Sequence, residues 1–377
     1  MNYHIIKVLL YLAILSLPYY AQDNQSKKEE KNESIKFRHP SIMIDDQQIK
    51  SIRSAIKRGA EPQSTMYKEL IKTAQEYLQH QPQPLKKVAF PPYYQNKEKH
   101  LEMRKNFDHD NDAVYTLALA YQMTQDKTYA DKSLQYLKAW VRDCEGVDQN
   151  DSLGASYILV LMVYGADLLW NYNSFSKDDK EAFLKWAKGT IDDMGKLASQ
   201  RANNWGAWGI QAMTAYAIIS DNEEAFYKAI DEWKKHIENN MDENGLFRHE
   251  VTRYNGVDGQ GILYSQFTLQ GYVLTALMCQ NYKVDLFNWE TSAGLTIKDG
   301  ATKIFSYEAS PDSFPYNKKL KQLTGNFYSG WEILYNQYKV KEWAQKFAEL
   351  RAEPLKYPYR ANQAGAWIPL THGVLIK

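Results

Sequence analysis

Two short segments of the sequence carry polar side chains whose types could work together in a reaction. The first, residues 201–209, contains Asn204 beside a second asparagine and two tryptophans. The second contains Arg253, and Tyr264 follows a glycine-rich turn further along the chain. Together they supply an amide, a guanidinium and a phenol, which are groups suited to acid–base chemistry on an anionic substrate.

This set of groups suits the removal of a proton beside the carboxylate of a uronic-acid sugar. Such a proton is weakly acidic, because elimination passes through an enolate-like state whose charge develops on the carboxylate. We predict that Asn204 and Arg253 neutralise that carboxylate, since an arginine can bind it through two parallel hydrogen bonds. Tyr264 is predicted to act as base and then as acid. A phenol ordinarily has a pKa of about 10, so a positive neighbour must lower it.

Further residues of the same region are predicted to bind the substrate or to assist the reaction. Aromatic faces with polar edges suit the stacking of sugar rings. The predicted substrate-binding residues are Asn203, Trp205, Trp208, Tyr94, Glu250 and Tyr254. His249 is predicted to assist in catalysis, and whether His109 also takes part stays open.

Several of these residues also have a purely structural explanation. Asn203 or Asn204 could cap the helix that follows, and Asn203 is the better candidate for the cap. Arg253 could pair with Glu250 across one helical turn, which would also orient its guanidinium. Tyr254, next to the arginine, is an alternative base.

Alternating acids at Asp108, Asp110 and Asp112 indicate a different chemistry. Such carboxylates can bind a hard cation, but the segment lacks the glycine and the distal glutamate of a calcium loop. Paired acids also serve glycoside hydrolases. The favoured interpretation is that these acids begin a helix and are stabilised by its dipole, with His109 in the same cluster.

The composition argues against several classes of partner. The chain has 377 residues, with 46 Lys and Arg against 45 Asp and Glu, so its net charge is +1. A chain this close to neutral does not attract nucleic acid or an anionic membrane, and an acidic ligand must meet local basic groups. Aromatic residues make up 14% of the chain, which fits either sugar stacking or the filling of a large helical core.

The N-terminus has the pattern of a cleavable signal peptide. Lys7 precedes an apolar run at residues 8–17 that is too short for a stable membrane anchor. We predict a signal peptide at 1–21, a disordered and highly charged leader at 22–36, and a single domain at 37–377. The protein is therefore expected in the periplasm or outside the cell.

The sequence gives no indication of a metal site or a cofactor. No group of cysteines and histidines has the spacing of zinc ligands. The only cysteines, Cys144 and Cys279, lie in apolar, helix-like runs. A disulfide and two free thiols both remain open for them.

The hydrophobic pattern after residue 37 predicts an all-α domain, because apolar residues recur at helical spacing. The predicted helices lie at 46–59, 63–79, 109–125, 128–143, 151–172, 177–201, 205–220, 222–240, 258–281, 290–305, 318–338 and 341–352. The polar and aromatic stretch 86–107 interrupts this pattern. It is predicted to be a mobile lid over a cleft, and the alternative is a surface connection.

A faint internal repeat indicates paired helices. Tyr121 leads to Asp126 and then to a helix with a tryptophan, and Tyr216 leads to Asp221 and a similar helix. Repeated hairpins form either an open solenoid or a closed toroid. We favour a toroid of paired antiparallel helices that encloses a cleft, since the connecting segments vary in length.

The two catalytic segments resemble the motifs of alginate lyases with an incomplete α/α toroid. The stretch 201–208 is similar to the family's Asn-Asn-His segment, and 242–264 is similar to its second motif. In that second motif an arginine and a tyrosine take part in catalysis, which here are Arg253 and Tyr264. Two features depart from the family: Trp205 stands where the histidine is expected, and the arginine and tyrosine are further apart.

The resemblance implies a polysaccharide lyase that acts on alginate or a related polyuronate, such as glucuronan, without a cofactor. The missing histidine is the reason for considering His249. Two alternatives remain: a glycoside hydrolase on the same toroid that uses acidic residues, and a non-catalytic, exported glycan-binding scaffold. The expected partner is an acidic polysaccharide, and the expected state is a monomer without a membrane anchor.

Overall fold

The computed structural model describes residues 34–91, 93, 95–252, 260–310, 313–316, 325–344 and 366–373. The chain divides into two units, Met1–Lys36 and Phe37–Lys377. Of the first unit, only residues 34–36 are described, and they have no regular secondary structure. The predicted signal peptide and nearly all of the predicted leader lie outside the described residues, so these domain limits stay a prediction.

Helices make up most of the second unit, and its described residues contain no β-strand. The first are α1 (Asp46–Lys57), α2 (Gln63–Leu78), α3 (Lys97–Thr124), α4 (Lys127–Asp143) and α5 (Gln149–Leu169). Next come α6, which joins Lys177–Ala187, Lys188–Asp192 and Asp193–Ser199, then α7 (Asn204–Ile219) and α8 (Glu223–Asn240). The last are α9 (Arg248–Val251), α10 (Gln260–Gln280), α11 (Ile297–Ala309), α12 (Gly325–Tyr338) and α13 (Ile368–Thr371).

The helices form two layers. Helices α3, α5, α7, α10 and α12 pack against one another in that order, and α4, α6, α8 and α11 lie outside them. The inner helices α5, α7 and α10 are apolar on almost all sides and are buried nearly throughout, whereas the outer helices bury one face. Because inner and outer helices alternate along the chain, the inner helices run in the same direction. The predicted all-α toroid is confirmed.

The described C-terminal residues connect the last inner helix to the first helices. Helix α13 packs against both α12 and α2. Trp367 donates a hydrogen bond from Nε1 to Thr116 Oγ1 on α3, at 2.9 Å. Asn336 on α12 donates one to the backbone oxygen of His372. Residues 366–373 therefore help to close the ring of helices.

Two glycines let α6 and α7 approach at backbone distance. A Cβ atom on Gly209 would lie 2.4 Å from the carbonyl oxygen of Gly195, and one on Gly195 would lie 2.9 Å from that of Gly209. Both separations are shorter than side-chain carbon atoms tolerate. This contact sets the position of α7 against the outer layer.

The predicted lid at 86–107 is wrong for its second half, because helix α3 begins at Lys97. Asn96 caps this helix by accepting a hydrogen bond from the backbone of Lys99, at 3.0 Å. The first turns carry good helix formers but few apolar residues, since they extend beyond the core. The sequence did not predict this part of the helix, because the prediction depended on apolar residues at helical spacing and these turns have few.

The acids Asp108, Asp110 and Asp112 consequently lie inside α3 rather than at its start, which corrects the prediction of a helix-start cluster. Each one is engaged by a different part of the protein. Asp108 pairs with Arg104, Asp110 accepts a hydrogen bond from Trp140 Nε1 at 2.9 Å, and Asp112 accepts one from Tyr77. The three carboxylates therefore have separate structural partners.

The repeat found in the sequence corresponds to the hairpins α3–α4 and α7–α8. Asp126 caps α4 through the backbone of Thr128, while Asp221 adopts a left-handed conformation with φ of 52° before α8.

Within the described residues, the segment Gln149–Leu169 is long and apolar enough to cross a membrane, but 83% of its most apolar window is buried in the protein. Cys144 and Cys279 are buried free thiols.

Candidate active site

The starts of four inner helices meet at one end of the toroid. The ring of Tyr157 on α5 lies with its centroid 5.7 Å from that of Trp208 on α7 and 5.3 Å from that of Phe267 on α10. On α3, Arg104 donates a hydrogen bond from Nη1 to Tyr157 Oη at 3.4 Å. Both segments that the sequence predicts to be catalytic lead into this end of the ring.

Asn204 is the first residue of α7, and Asn203 before it is the helix cap, as predicted. The side-chain oxygen of Asn203 accepts a hydrogen bond from the backbone of Trp205 at 3.2 Å. Asn204 itself is 1% exposed, and its Nδ2 donates to Glu250 Oε1 at 3.0 Å. Its backbone N–H donates to the same oxygen. A substrate carboxylate can reach this amide only after the covering groups have moved.

Glu250 holds Asn204 in place and is completely buried. In addition to the two donors of Asn204, its Oε1 accepts a hydrogen bond from Thr268 Oγ1 on α10, at 3.0 Å. The part that Glu250 would take in substrate binding stays a prediction. Its carboxylate connects the second segment to α7 and α10.

Tyr264 lies in the second turn of α10 and is half-buried. Residues three and four positions further along a helix share its face. Here these are Phe267, which packs on Trp208 with centroids 5.0 Å apart, and Thr268, which bonds to Glu250. The fold thus brings the face of α10 that carries Tyr264 to the start of α7.

The two predicted stacking tryptophans have different environments. Trp205 is half-buried, and the guanidinium of Arg201 lies 5.0 Å from the centre of its ring. Trp208 is 0% exposed and packs between Tyr157 and Phe267. Trp208 thus packs in the core beneath the site, and its stacking on a sugar stays a prediction.

His249 is exposed on the short helix α9, next to Glu250. Its backbone N–H donates to Asn240 Oδ1 at 3.4 Å. Its charge also lowers the pKa of His236, a smaller effect than the burial of that ring. The backbone of His249 thus contacts α8, and its part in catalysis stays a prediction.

Two residues of the site were missed in the sequence, Arg104 and Tyr157. Arg104 is 20% exposed and binds Asp108 with Nε at 3.1 Å and Nη2 at 2.9 Å. Burial lowers the pKa of Arg104, but Tyr157 and Asp108 raise it by a larger amount. The pKa is therefore above its ordinary value, and the guanidinium stays charged. Burial raises the pKa of Asp108, although Arg104 opposes this. The spacing of Arg104 and Asp108 on a helix was the available signal.

A match to a known protein family shows which family this fold belongs to. The model of the family described as alginate lyase matches residues 57–314 of the chain. The chain belongs to the alginate lyase family. It is therefore a polysaccharide lyase, and the predicted resemblance is confirmed.

Solved structures of alginate lyases have the same fold as this family member. An alginate lyase from Bacteroides ovatus is 17% identical with a TM-score of 0.66, and the match covers 90% of this chain and 100% of that one. A variant of alginate lyase A1-III complexed with a tetrasaccharide is 15% identical with a TM-score of 0.68, with the same coverage.

A further alginate lyase structure, that of A1-III from Sphingomonas species A1, is 16% identical with a TM-score of 0.63. That match covers 80% of this chain and 92% of the other. Among curated proteins, no sequence matched this family member.

Three predicted site residues of this alginate lyase family member, Arg253, Tyr254 and Tyr94, lie outside the described residues. Their roles as substrate anchor, substrate contact and stacking ring stay predictions. In the part of the chain that the structure describes, no group of three or more His, Cys, Asp and Glu side chains could hold a metal ion.

Proposed function

We propose that this polysaccharide lyase cleaves a uronic-acid polymer, alginate or a related polyuronate such as glucuronan, by β-elimination. The observation that carries the proposal is the buried network of Asn204, Glu250 and Thr268 at the starts of α7 and α10. It fixes an amide beside the helix face that carries Tyr264. An amide held in one orientation can stabilise developing charge once the groups that cover it have moved and admitted the substrate carboxylate.

The proposed reaction begins with removal of the C5 proton of the sugar by Tyr264. The electron pair of the broken C–H bond moves toward the C6 carboxylate, whose charge Asn204 and Arg253 stabilise. The bond between C4 and the glycosidic oxygen then breaks, and a double bond forms between C4 and C5. Tyr264 returns its proton to the departing oxygen, so one residue serves as base and as acid.

Arg104 supports an anionic substrate at this end of the toroid. It is the charged partner of Tyr157 at the start of α3, and it keeps part of its surface exposed. The chain as a whole has a net charge of only +1, so a polyuronate must be recognised by such local cations. We assign Arg104 and Tyr157 to the proposed binding surface for the polymer, with Trp205 as a stacking ring.

Export to the periplasm or the medium is part of the proposal, since a polymeric substrate is met outside the cytoplasm. It is supported by the sequence pattern of residues 1–21, where Lys7 precedes an apolar run. Sequencing the N-terminus of the mature protein tests it. An N-terminus at about residue 22 is expected, and retention of residues 1–21 would contradict export.

Incubation with a panel of polymers tests the proposed substrate. Alginates rich in either of their two uronates, glucuronan and a neutral glucan as control are compared by ultraviolet absorbance, because the C4–C5 double bond is conjugated with the carboxylate. We expect rising absorbance on one or more polyuronates and none on the neutral polymer. Reducing ends without absorbance would support the hydrolase alternative, and binding without turnover would support a glycan-binding scaffold.

A further inference from the structure

A continuous chain of hydrogen bonds behind the site joins the two catalytic segments. It begins at helix α9, where the backbone N–H of His249 donates to Asn240 Oδ1 at 3.4 Å. Asn240 Nδ2 donates to Tyr272 Oη at 3.2 Å. His236 lies 2.5 Å from Tyr272 Oη through Nδ1 and 2.9 Å from the carbonyl oxygen of Arg201 through Nε2.

The direction of this chain follows from its last link. A carbonyl oxygen can only accept, so the proton of His236 is on Nε2, and Nδ1 of the neutral ring accepts from the Tyr272 hydroxyl. Burial lowers the pKa of His236, which favours this neutral form. In each of the four hydrogen bonds the donor is therefore nearer to α9, and the acceptor is nearer to the turn before α7.

The ring of His236 also fills the space beside the first turn of α7. A Cβ atom on Gly206 would lie 2.1 Å from His236 Nε2, so only glycine lets the ring reach the carbonyl of Arg201. In the sequence, Asn203 and Asn204 lie between Arg201 and Gly206. The ring thus contacts the turn on both sides of the amide that the proposed reaction uses.

We propose that His236 and Tyr272 are positioning residues of this lyase, which with Asn240 fix the turn carrying Asn204 relative to the helix carrying Glu250. Asn204 is then held from two directions, by Glu250 on one side and through the Arg201 carbonyl on the other. The inference rests on the proposed function, because it assigns to Asn204 a place in the reaction. Neither positioning residue contacts the substrate.

The substitution Tyr272→Phe tests the proposal, since it removes only the hydroxyl that forms the two central links. A displaced catalytic group lowers turnover without changing substrate binding, and a misplacement of about 1 Å can cost roughly 10²-fold. We expect kcat to fall by roughly 10- to 10²-fold with KM nearly unchanged. The matched control is Tyr115→Phe on α3, a buried tyrosine whose hydroxyl has no partner in the described residues. It should retain full kcat.

A double-mutant cycle shows whether the effect passes through Asn204. Combined with Asn204→Ala, the change Tyr272→Phe should cost little further activity, because the group that it positions is already absent. Effects that multiply would overturn the proposal. An unchanged kcat in a folded Tyr272→Phe protein would overturn it as well.

Hydrogen exchange gives a readout that does not require activity. In Tyr272→Phe, peptides covering residues 201–206 and 248–251 should exchange faster than in Tyr115→Phe, because the link between them is broken. Equal exchange would contradict the proposal. If wild-type protein yields no unsaturated product, the proposed function fails, while this measurement still decides whether the chain of hydrogen bonds holds the turn.

His236→Gln is the second variant in case Tyr272→Phe does not fold. Its amide keeps a donor near the position of Nε2 and loses the acceptor at Nδ1, so the Arg201 link survives and the Tyr272 link does not. We expect a loss of kcat at the lower end of the range given for Tyr272→Phe, again at constant KM. Full wild-type kcat and unchanged exchange at 201–206 would overturn the proposal.

Discussion

Tyr264 is the residue on which the proposed chemistry depends most. It shares a face of α10 with Thr268, whose hydroxyl bonds the carboxylate that holds Asn204. Tyr264→Phe removes the proton-transferring hydroxyl and keeps the volume of the ring, so the fold should change little. Turnover should fall by about 10²–10⁴-fold, as is typical for the loss of an acid–base group, while oligosaccharide binding persists.

The matched control for this change is Tyr129→Phe, on the outer helix α4 and away from the site. It should leave turnover unchanged. Initial rates by ultraviolet absorbance, together with thermal unfolding of both variants, provide the comparison. If folded Tyr264→Phe protein keeps most of its activity, the assignment of the base is incorrect and Tyr254 or His249 must be considered.

At the residue scale, local features were predictable from the sequence and distant contacts were not. The cap at Asn203 and the place of Tyr264 near a helix start depend on neighbours in the chain, and both were predicted. The contact of Glu250 with Asn204 was not predicted, because the two residues are 46 positions apart. Arg104 was missed because its segment was interpreted as a lid.

At the scale of elements, the contact of α6 with α7 determines where Asn204 lies. Gly209→Ala would place a Cβ atom 2.4 Å from the carbonyl oxygen of Gly195 and 2.6 Å from the backbone nitrogen of Ser199. Backbone atoms cannot yield as a flexible side chain does, so the helices must separate. We expect a loss of roughly 1–3 kcal/mol in the free energy of unfolding, and lower turnover in the protein that remains folded.

Gly189→Ala is the control, since it lies in the same outer helix α6 with nothing within 4 Å of its added carbon. Alanine there should leave stability equal or raise it by about 0.5–1 kcal/mol, because glycine is the poorer helix former. Urea unfolding of both variants measures the difference. Equal stability of the two would show that α6 and α7 do not depend on this close approach.

Element types were well predicted, but the bounds of helices with little buried surface were not. Helix α7 was predicted within one residue at its start, since a cap and a continuous apolar run mark it. Helix α3 was predicted to begin at 109 and begins at Lys97, because its first turns carry a polar surface. Helical periodicity reports burial, and these turns bury little.

At the scale of the whole molecule, a histidine whose side chain is 7% exposed ties the start of the domain to its core. His39 lies 2.7 Å from Asp167 on α5 through Nδ1 and 3.2 Å from Asp221 through Nε2. Burial lowers the pKa of His39, but the two carboxylates raise it by more, so it ends above the ordinary value of 6.5. Its contribution to stability is therefore full below pH 6.5 and is lost as the pH rises through the folded pKa.

The variant His39→Asn isolates this contribution, because it keeps a neutral hydrogen-bond donor and removes the charge. The wild type should exceed it by roughly 1–2 kcal/mol in mildly acidic buffer, and the difference should shrink as the pH rises. Burial lowers the pKa of His372 to about 4, which destabilises both proteins in acid and cancels in the comparison. A difference that grows with pH, by urea unfolding, would contradict this.

The overall architecture was accessible from the sequence because it follows from repetition. The related pairs around Asp126 and Asp221 predicted hairpins, and hairpins with buried inner helices close into a ring. The closure by residues 366–373 was not predicted, since the bond from Trp367 to Thr116 spans 251 positions. Such contacts are set by the assembled toroid and leave no local pattern.

The most direct test of the central claim is the mass of the products from a polyuronate oligosaccharide of defined length. Elimination consumes no water, so the masses of the two fragments should add up to that of the substrate, with the unsaturated end one water lighter than a saturated one. Hydrolysis adds one water to the pair. Fragments that sum to the substrate mass are the predicted result, and a sum heavier by one water would contradict β-elimination.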